Sequence, residues 1–160
     1  MDLNHFSWVI PKRLAGSPGP DSIDDLIFLR QKGIKHLVRL AEPSKAHVTK
    51  EDVFDAGLDD FHEPIKNYSA PSQEQIERIV QAVKPWVEKG EPVAVSCGYG
   101  LGRTGTILAC ILLYLCHSYE EAVEIVSERN LNQYGFNQAW ETNDQMLAVR
   151  QIARKLGKLK

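Results

Sequence analysis

The sequence predicts one α/β domain, a central and mostly parallel sheet flanked by helices over residues 1–160. Three observations predict it. Strand-like and helical patterns alternate along the chain, the signature of helices covering both faces of a sheet. Pro92-Val93-Ala94-Val95 is a short apolar run of the kind found in buried central strands. With 160 residues, 43% hydrophobic and 25% charged, the chain can bury one sizeable core and is not disordered in bulk.

Taken in order, Phe6–Ile10 reads as a short strand closed by Pro11, and Arg13–Ala15 begins a second strand before the turn-rich Gly16-Ser17-Pro18-Gly19-Pro20. Ser22, with Asp25 three residues on, resembles a helix cap. The apolar face of Ile23, Leu26, Ile27 and Leu29 follows, ending at Gly33. Lys35–Leu40 is a strand, Thr49–Ala56 a short helix stopped by Gly57, and Phe61–Ile65 a weaker strand. A Ser72/Gln75 capping box opens a long helix through Ile76, Ile79, Val80 and Val83, which Pro85 is expected to kink or end. After the central strand come helices over Arg103–His117, over Tyr119–Arg129 with Ser118 as cap, and over Ala139–Leu156. No repeat, low-complexity tract or long linker divides them.

Charge and cysteine usage narrow the function classes. A net charge of −2 gives no basic field for nucleic acid or anionic lipid, so any phosphate recognition must be local. The N-terminus lacks a secretory pattern. The longest apolar stretch, Ile107–Cys116, is about ten residues, roughly half a bilayer span. A soluble, cytoplasmic protein without membrane or nucleic-acid partners is expected. Three cysteines do not suggest a disulfide framework. Cys110 and Cys116 read as core thiols, and five histidines without metal spacing imply no metal. The basic tail Lys155, Lys158 and Lys160 reads as a solvated helix end favourable to the dipole.

Cys97 is different, because glycines surround it. The run Val93-Ala94-Val95-Ser96-Cys97-Gly98-Tyr99-Gly100-Leu101-Gly102-Arg103-Thr104-Gly105 puts a cysteine at the C-terminal end of a buried strand, where open α/β sheets bind ligands. Glycines let the following backbone curl so that successive N–H groups face inward as an anion nest. A helix starting near Arg103 adds orphan N–H groups and a positive dipole end, a field that favours thiolate over thiol. Arg103 can meet two phosphate oxygens with one planar fork. Residues Gly98, Tyr99, Gly100, Leu101, Gly102 and Arg103 therefore form a candidate phosphate site around a Cys97 nucleophile. That suggests in-line attack on a phosphate monoester through a phosphocysteine intermediate. The lysine of the other well-known phosphate loop is missing.

At these residues the sequence resembles the protein tyrosine phosphatase superfamily, and within it the small atypical dual-specificity phosphatases, archaeal ones included. The resemblance also covers His5–Ile10 with Arg13–Gly16, the strand His36–Val38, Gln75–Arg78, Gly100–Thr106, and Glu141-Thr142 with Gln145. It implies a cysteine phosphatase fold, no metal or cofactor, a phosphoprotein or phosphopeptide substrate, and action as a monomer. Thr104 would stabilise the leaving thiolate and assist hydrolysis of the intermediate. Glu141 would position substrate or water, or else be a solvated carboxylate at a helix start.

Two positions depart from the family pattern. Ser96 stands where the family has a histidine that holds the loop and helps acidify the thiol. Asn67 stands where the family has the aspartate that acts as general acid, and an amide cannot protonate a leaving oxygen. Asp59, Asp60 and Glu63 are nearby carboxylates that either reach the site or are solvated surface charges. Without an acid, a phenolate leaving group (conjugate pKa about 10) should depart far more readily than an alkoxide nearer water's roughly 15.7. Phosphotyrosine is thus the expected substrate, with phosphoserine and phosphothreonine slower. Rivals are a poorly active phosphate-binding module, and a phosphatase for RNA or phosphoinositide, which the absence of loop lysines disfavours. Tyr99 would line the pocket rim or pack inward, and Tyr68 could flank an aromatic substrate.

Overall fold

The computed structural model describes residues 3–160; the first two residues of the expected 1–160 domain lie outside the described residues. Strands β1 (Ser7–Ile10), β2 (Leu14–Pro18), β3 (His36–Arg39), β4 (Asp59–His62) and β5 (Val93–Cys97) form one sheet in the order β1-β2-β5-β3-β4. Only β1 and β2 pair antiparallel; the other pairs are parallel, as expected. The apolar run of β5 is central, with β2 on one side and β3 on the other.

Side chains alternate across the sheet because strand residues point to opposite faces. Leu14, Val38, Val93, Val95 and Cys97 join one core cluster, while Ala15, Leu37 and Ala94 join the other. Helices α1 (Ile23–Gln31) and α2 (Lys50–Asp55) cover the second face. The first is covered by α3 (Gln73–Glu88), α4 (Gly102–Tyr114), α5 (Tyr119–Tyr134) and α6 (Asn143–Lys155). Residues Gly102 to Leu113 of α4 are all buried, so the long apolar run is a core helix enclosed by its neighbours. Such burial fixes the N-terminal end of α4 against the end of β5. Among the described residues no helix is long and apolar enough to cross a membrane.

Several boundaries differ from the sequence expectation. The second strand continues through Gly16 to Pro18, where β5 supplies its partner. Strand β4 starts at Asp59 and ends at His62, before Pro64, which has no N–H for a ladder. Pro85 does not end α3, which runs on to Glu88. Val83 and Val87 are buried on one face, and Pro85 itself accepts from Lys89 N–H at 3.0 Å. Helix α5 runs to Tyr134, ended by left-handed Gly135, and α6 begins at Asn143 behind a Thr142/Gln145 capping box instead of at Ala139.

Cys110 is buried, and burial pushes its thiol up to about 12, so it is inert packing. Cys116 is exposed, contrary to its reading as a core thiol, because the chain leaves α4 there in a left-handed turn. Lys155 pairs with Glu77, and Lys158 donates to the carbonyls of Leu113 and His117. Of the basic tail, Lys158 therefore caps the end of α4, while Lys155 pairs with Glu77 at the surface.

Candidate active site

Cys97 ends β5 with 2% of its surface exposed. Its Sγ accepts two hydrogen bonds, from Gly100 N–H at 3.2 Å and from the Thr104 hydroxyl at 3.1 Å. The turn depends on Gly100, at φ +84°. A Cβ there would lie 2.6 Å from both Pro18 N and the Tyr134 hydroxyl oxygen. From outside, Gly19 N–H donates to Gly98 O at 3.2 Å and the Tyr134 hydroxyl to Tyr99 O at 2.7 Å. Anchoring carbonyls outward leaves N–H groups free to face the sulfur, which is what an anion nest requires. Leu101, the residue before α4, is buried and gives no side-chain cap, so the first N–H groups of the helix remain available to a ligand.

Arg103 is buried at the first turn of α4, where its Nη1 donates to Ile65 O at 2.8 Å and to Glu42 Oε1 at 3.2 Å. Its Nη2 lies beside the loop, 3.6 Å from where a Cβ on Gly98 would stand. Glu42 thus orients the clamp, a residue that sequence reasoning missed. It follows β3, the neighbour of β5, a placement that only the strand order reveals. Glu141 packs its carboxylate against Gly102, where there is no room for a Cβ. Its backbone N–H donates to Gln145 Oε1 at 2.8 Å, and Gln145 is fully buried. Glu141 thus stands beside the Cys97 loop at Gly102.

The expected departures are visible in the geometry. Ser96 is buried, its hydroxyl donates to Val38 O at 3.4 Å, and it gives nothing to the sulfur. Asn67 is exposed, and its Oδ1 accepts from Tyr68 N–H at 3.0 Å while its own N–H donates to Glu42 Oε1 at 3.2 Å. Its amide is spent on the local turn, with Tyr68 at φ 63°.

The three alternative carboxylates are engaged elsewhere. Asp60 is clamped by Arg39 at 2.7 and 2.8 Å, and Asp59 stands 2.9 Å from His36 at the far end of the sheet. Glu63 is held by Arg78 at 2.9 and 3.1 Å; that hydrogen bond first, and Gln75 after it, keep its carboxyl below the usual range. Of the readings for Tyr99, the exposed ring at the rim is the one observed; it lies near His5 and Tyr134. Among the described residues no group of three His, Cys, Asp or Glu side chains could hold a metal ion.

With this geometry in view, comparison with known proteins is informative. The family described as "Tc-R-P: Polymorphic toxin system, DSP-PTPase phosphatase" matches residues 16–117, from within β2 to just past α4. Protein tyrosine phosphatase domain-containing protein 1 of Danio rerio is 29% identical over 170 residues, 95% of this chain but 23% of that protein. The mouse (Mus musculus) protein of the same name is 26% identical over 98% of this chain and 22% of its own length. The chain therefore spans less than a quarter of these curated relatives. Among solved structures, Tk-PTP in its active form superposes with a TM-score of 0.81 at 25% identity, covering 94% of this chain and 97% of that one. The family match spans more than half of the sequence and includes the Cys97 loop, and the chain belongs to that DSP-PTPase phosphatase family.

Proposed function

From its membership of the DSP-PTPase family, we propose that the chain is a cysteine-dependent phosphatase hydrolysing phosphotyrosine in proteins. One observation carries this reading: Cys97 Sγ receives both the Gly100 N–H and the Thr104 hydroxyl, with Arg103 buried beside the same loop. In the first step the thiolate attacks phosphorus in line. The S–P bond forms, the P–O bond to tyrosine breaks, and the phenolate takes its proton from water. In the second step water attacks the phosphocysteine, phosphate leaves, and the electron pair returns to sulfur, where the Thr104 hydroxyl stabilises it. Arg103 clamps the equatorial oxygens in both steps. The Glu141 carboxylate, packed at Gly102, is positioned to accept the proton of the attacking water. The reading extends to a monomeric domain meeting phosphoproteins in the cytoplasm.

The preference for phosphotyrosine rests on Asn67, whose side chain is bound to its own turn and carries no acidic proton. The test is hydrolysis of matched phosphotyrosine and phosphoserine peptides by wild type and Cys97→Ser. Wild type should release phosphate faster from phosphotyrosine, and the serine variant should lose on the order of 10⁴-fold or more. Equal or faster release from phosphoserine would sink the preference. The same Asn67 observation supports a second reading, a phosphopeptide-binding module with little turnover. Stoichiometric binding of phosphopeptide without phosphate release would favour it.

A further inference from the structure

Among the described residues three arginines are buried, and their charges are met differently. Arg39 is clamped by Asp60 and Arg103 is paired with Glu42. Arg129 of α5 meets no carboxylate. Its Nε donates to Ser7 Oγ at 2.9 Å, its Nη1 to Asn130 Oδ1 at 3.0 Å, and its buried Nη2 has no hydrogen-bond partner. A cation taken out of water without a counter-charge carries a large desolvation cost. Some other charge must offset it.

The fold indicates which one. Nη2 lies 2.7 Å from where a Cβ on Gly16 would stand, so this guanidinium fits only because β2 has glycine there. Gly16 pairs with Val95, and Cys97 lies two residues further along β5 on the same face of the sheet. Ordinary strand spacings then put Gly16 and Cys97 roughly 8 Å apart. The Tyr134 ring covers the guanidinium at 5.6 Å, and its hydroxyl holds Tyr99 O of the loop. The His5 ring lies against that ring, 4.3 Å between centroids and tilted by 31°. Burial pushes the Tyr134 hydroxyl well up, so it is neutral near neutral pH. Burial also pulls the Arg129 guanidinium down, and negative charge at Tyr134 and then at Cys97 pushes it back up. With Tyr134 neutral, Cys97 is a group on this face of the sheet that can carry the negative charge Arg129 lacks.

We propose that Arg129 is a positioning residue that holds the negative charge of Cys97 in the free enzyme, from beneath the loop and across from Arg103. It acts at the place where Ser96 contributes nothing to the sulfur. Through the Tyr134 ring the same side chain steadies the carbonyl of Tyr99. The other charged groups at the loop are Arg103, the carboxylates of Glu42 and Glu141, and the buried Asp25 of α1 behind Gly19, all of which the tests below leave unchanged. The inference rests on the phosphatase reading for its purpose, yet it concerns a property of the thiol that can be measured without substrate.

The experiment follows alkylation of Cys97 by iodoacetamide against pH, read by peptide mass spectrometry, in wild type, Arg129→Met, Arg129→Gln and Arg129→Lys. Removing one charge at this range should raise the pH of half-limiting alkylation by about one unit in the neutral variants, about tenfold in rate below that pH. Lysine should restore most of it. If the methionine variant does not fold, the glutamine and lysine pair carries the test, since both keep a hydrogen-bonding end. A folded neutral variant with the wild-type profile, or a lysine variant no better than glutamine, overturns the proposal. A shifted profile in a protein that hydrolyses no phosphopeptide would uphold Arg129 and discard the phosphatase reading instead.

Discussion

Two segments meet at the site and are built on different terms. The 97–104 loop makes its chemistry largely from backbone: Gly100 N–H and the Thr104 hydroxyl bind the sulfur, and Gly19 and Tyr134 hold the loop by its carbonyls. In the 65–71 segment, at the position where the resemblance puts an acid, the Asn67 side chain accepts from the next residue's N–H. The segment still serves the loop through its own backbone, since Ile65 O accepts from Arg103. On the proposed reading, phosphate capture and nucleophilic attack have their groups in place, while leaving-group protonation lacks one. A site assembled from many backbone groups tolerates a changed neighbour such as Ser96; a function resting on one carboxyl is lost with one substitution.

The largest effect should come from breaking the loop side at Arg103. Lysine at 103 keeps a positive charge but cannot span two phosphate oxygens, nor reach Ile65 O and Glu42 in one plane. We expect Arg103→Lys to lower kcat/KM on an activated aryl phosphate by about 10²- to 10³-fold, the usual cost of a lost transition-state donor. Cys97 alkylation should continue. Retained activity within threefold would mean that the clamp lies elsewhere.

How much of this was legible in the sequence follows the same division. That Cys97 and Arg103 flank one loop was readable because glycine spacing after an apolar run encodes a backbone shape directly, whereas Thr104 entered only through the family resemblance. Helix starts at Ser22, Ser72 and Ser118 were readable from local caps. The same signal stood at Thr142 and Gln145, and α6 starts behind it instead of at Ala139. Pro85 misled because burial of Val83 and Val87 outweighs one lost backbone bond. Glu42 and Arg129 were not legible. Glu42 meets Arg103 only because β3 lies beside β5, and Arg129 meets Ser7 only because α5 packs over the β1 edge, facts of strand order that no local window contains.

An intermediate effect should come from restoring the missing carboxyl. Asn67→Asp can keep the bond to Tyr68 N–H while adding a titratable proton. Acid catalysis typically contributes 10²- to 10⁴-fold, and a side chain partly held by its own turn should realise only part of that. We expect a gain of about tenfold on phosphoserine peptide and less on phosphotyrosine, because the alkoxide needs the proton more. The new acid must be protonated to act, so the gain should be greatest at low pH and fade as pH rises past the ordinary aspartate range near about 3.9. A gain of the same size on both peptides, or one that grows with pH, would show that residue 67 does not deliver the proton.

The smallest effect tests how the weaker segment is held. Glu63, just before it, binds Arg78 and Gln75 of α3, which closes the chain around residues 64–72. Arg78 holds the Glu63 carboxyl below its usual range. A carboxyl depressed on folding adds stability above its unfolded value of about 4.3, and that contribution is lost as pH falls through the lower folded value. Glu63→Gln should therefore lower Tm at pH 7 by only about one to three degrees, as expected for an exposed pair. Towards pH 3 the difference between variant and wild type should shrink as the wild-type carboxyl protonates. The Gln75 bond to Pro64 O survives in both proteins, so the segment should stay in place. A difference in Tm that persists unchanged into acid would mean that the shape of the side chain at 63 closes the segment, and the charge does not.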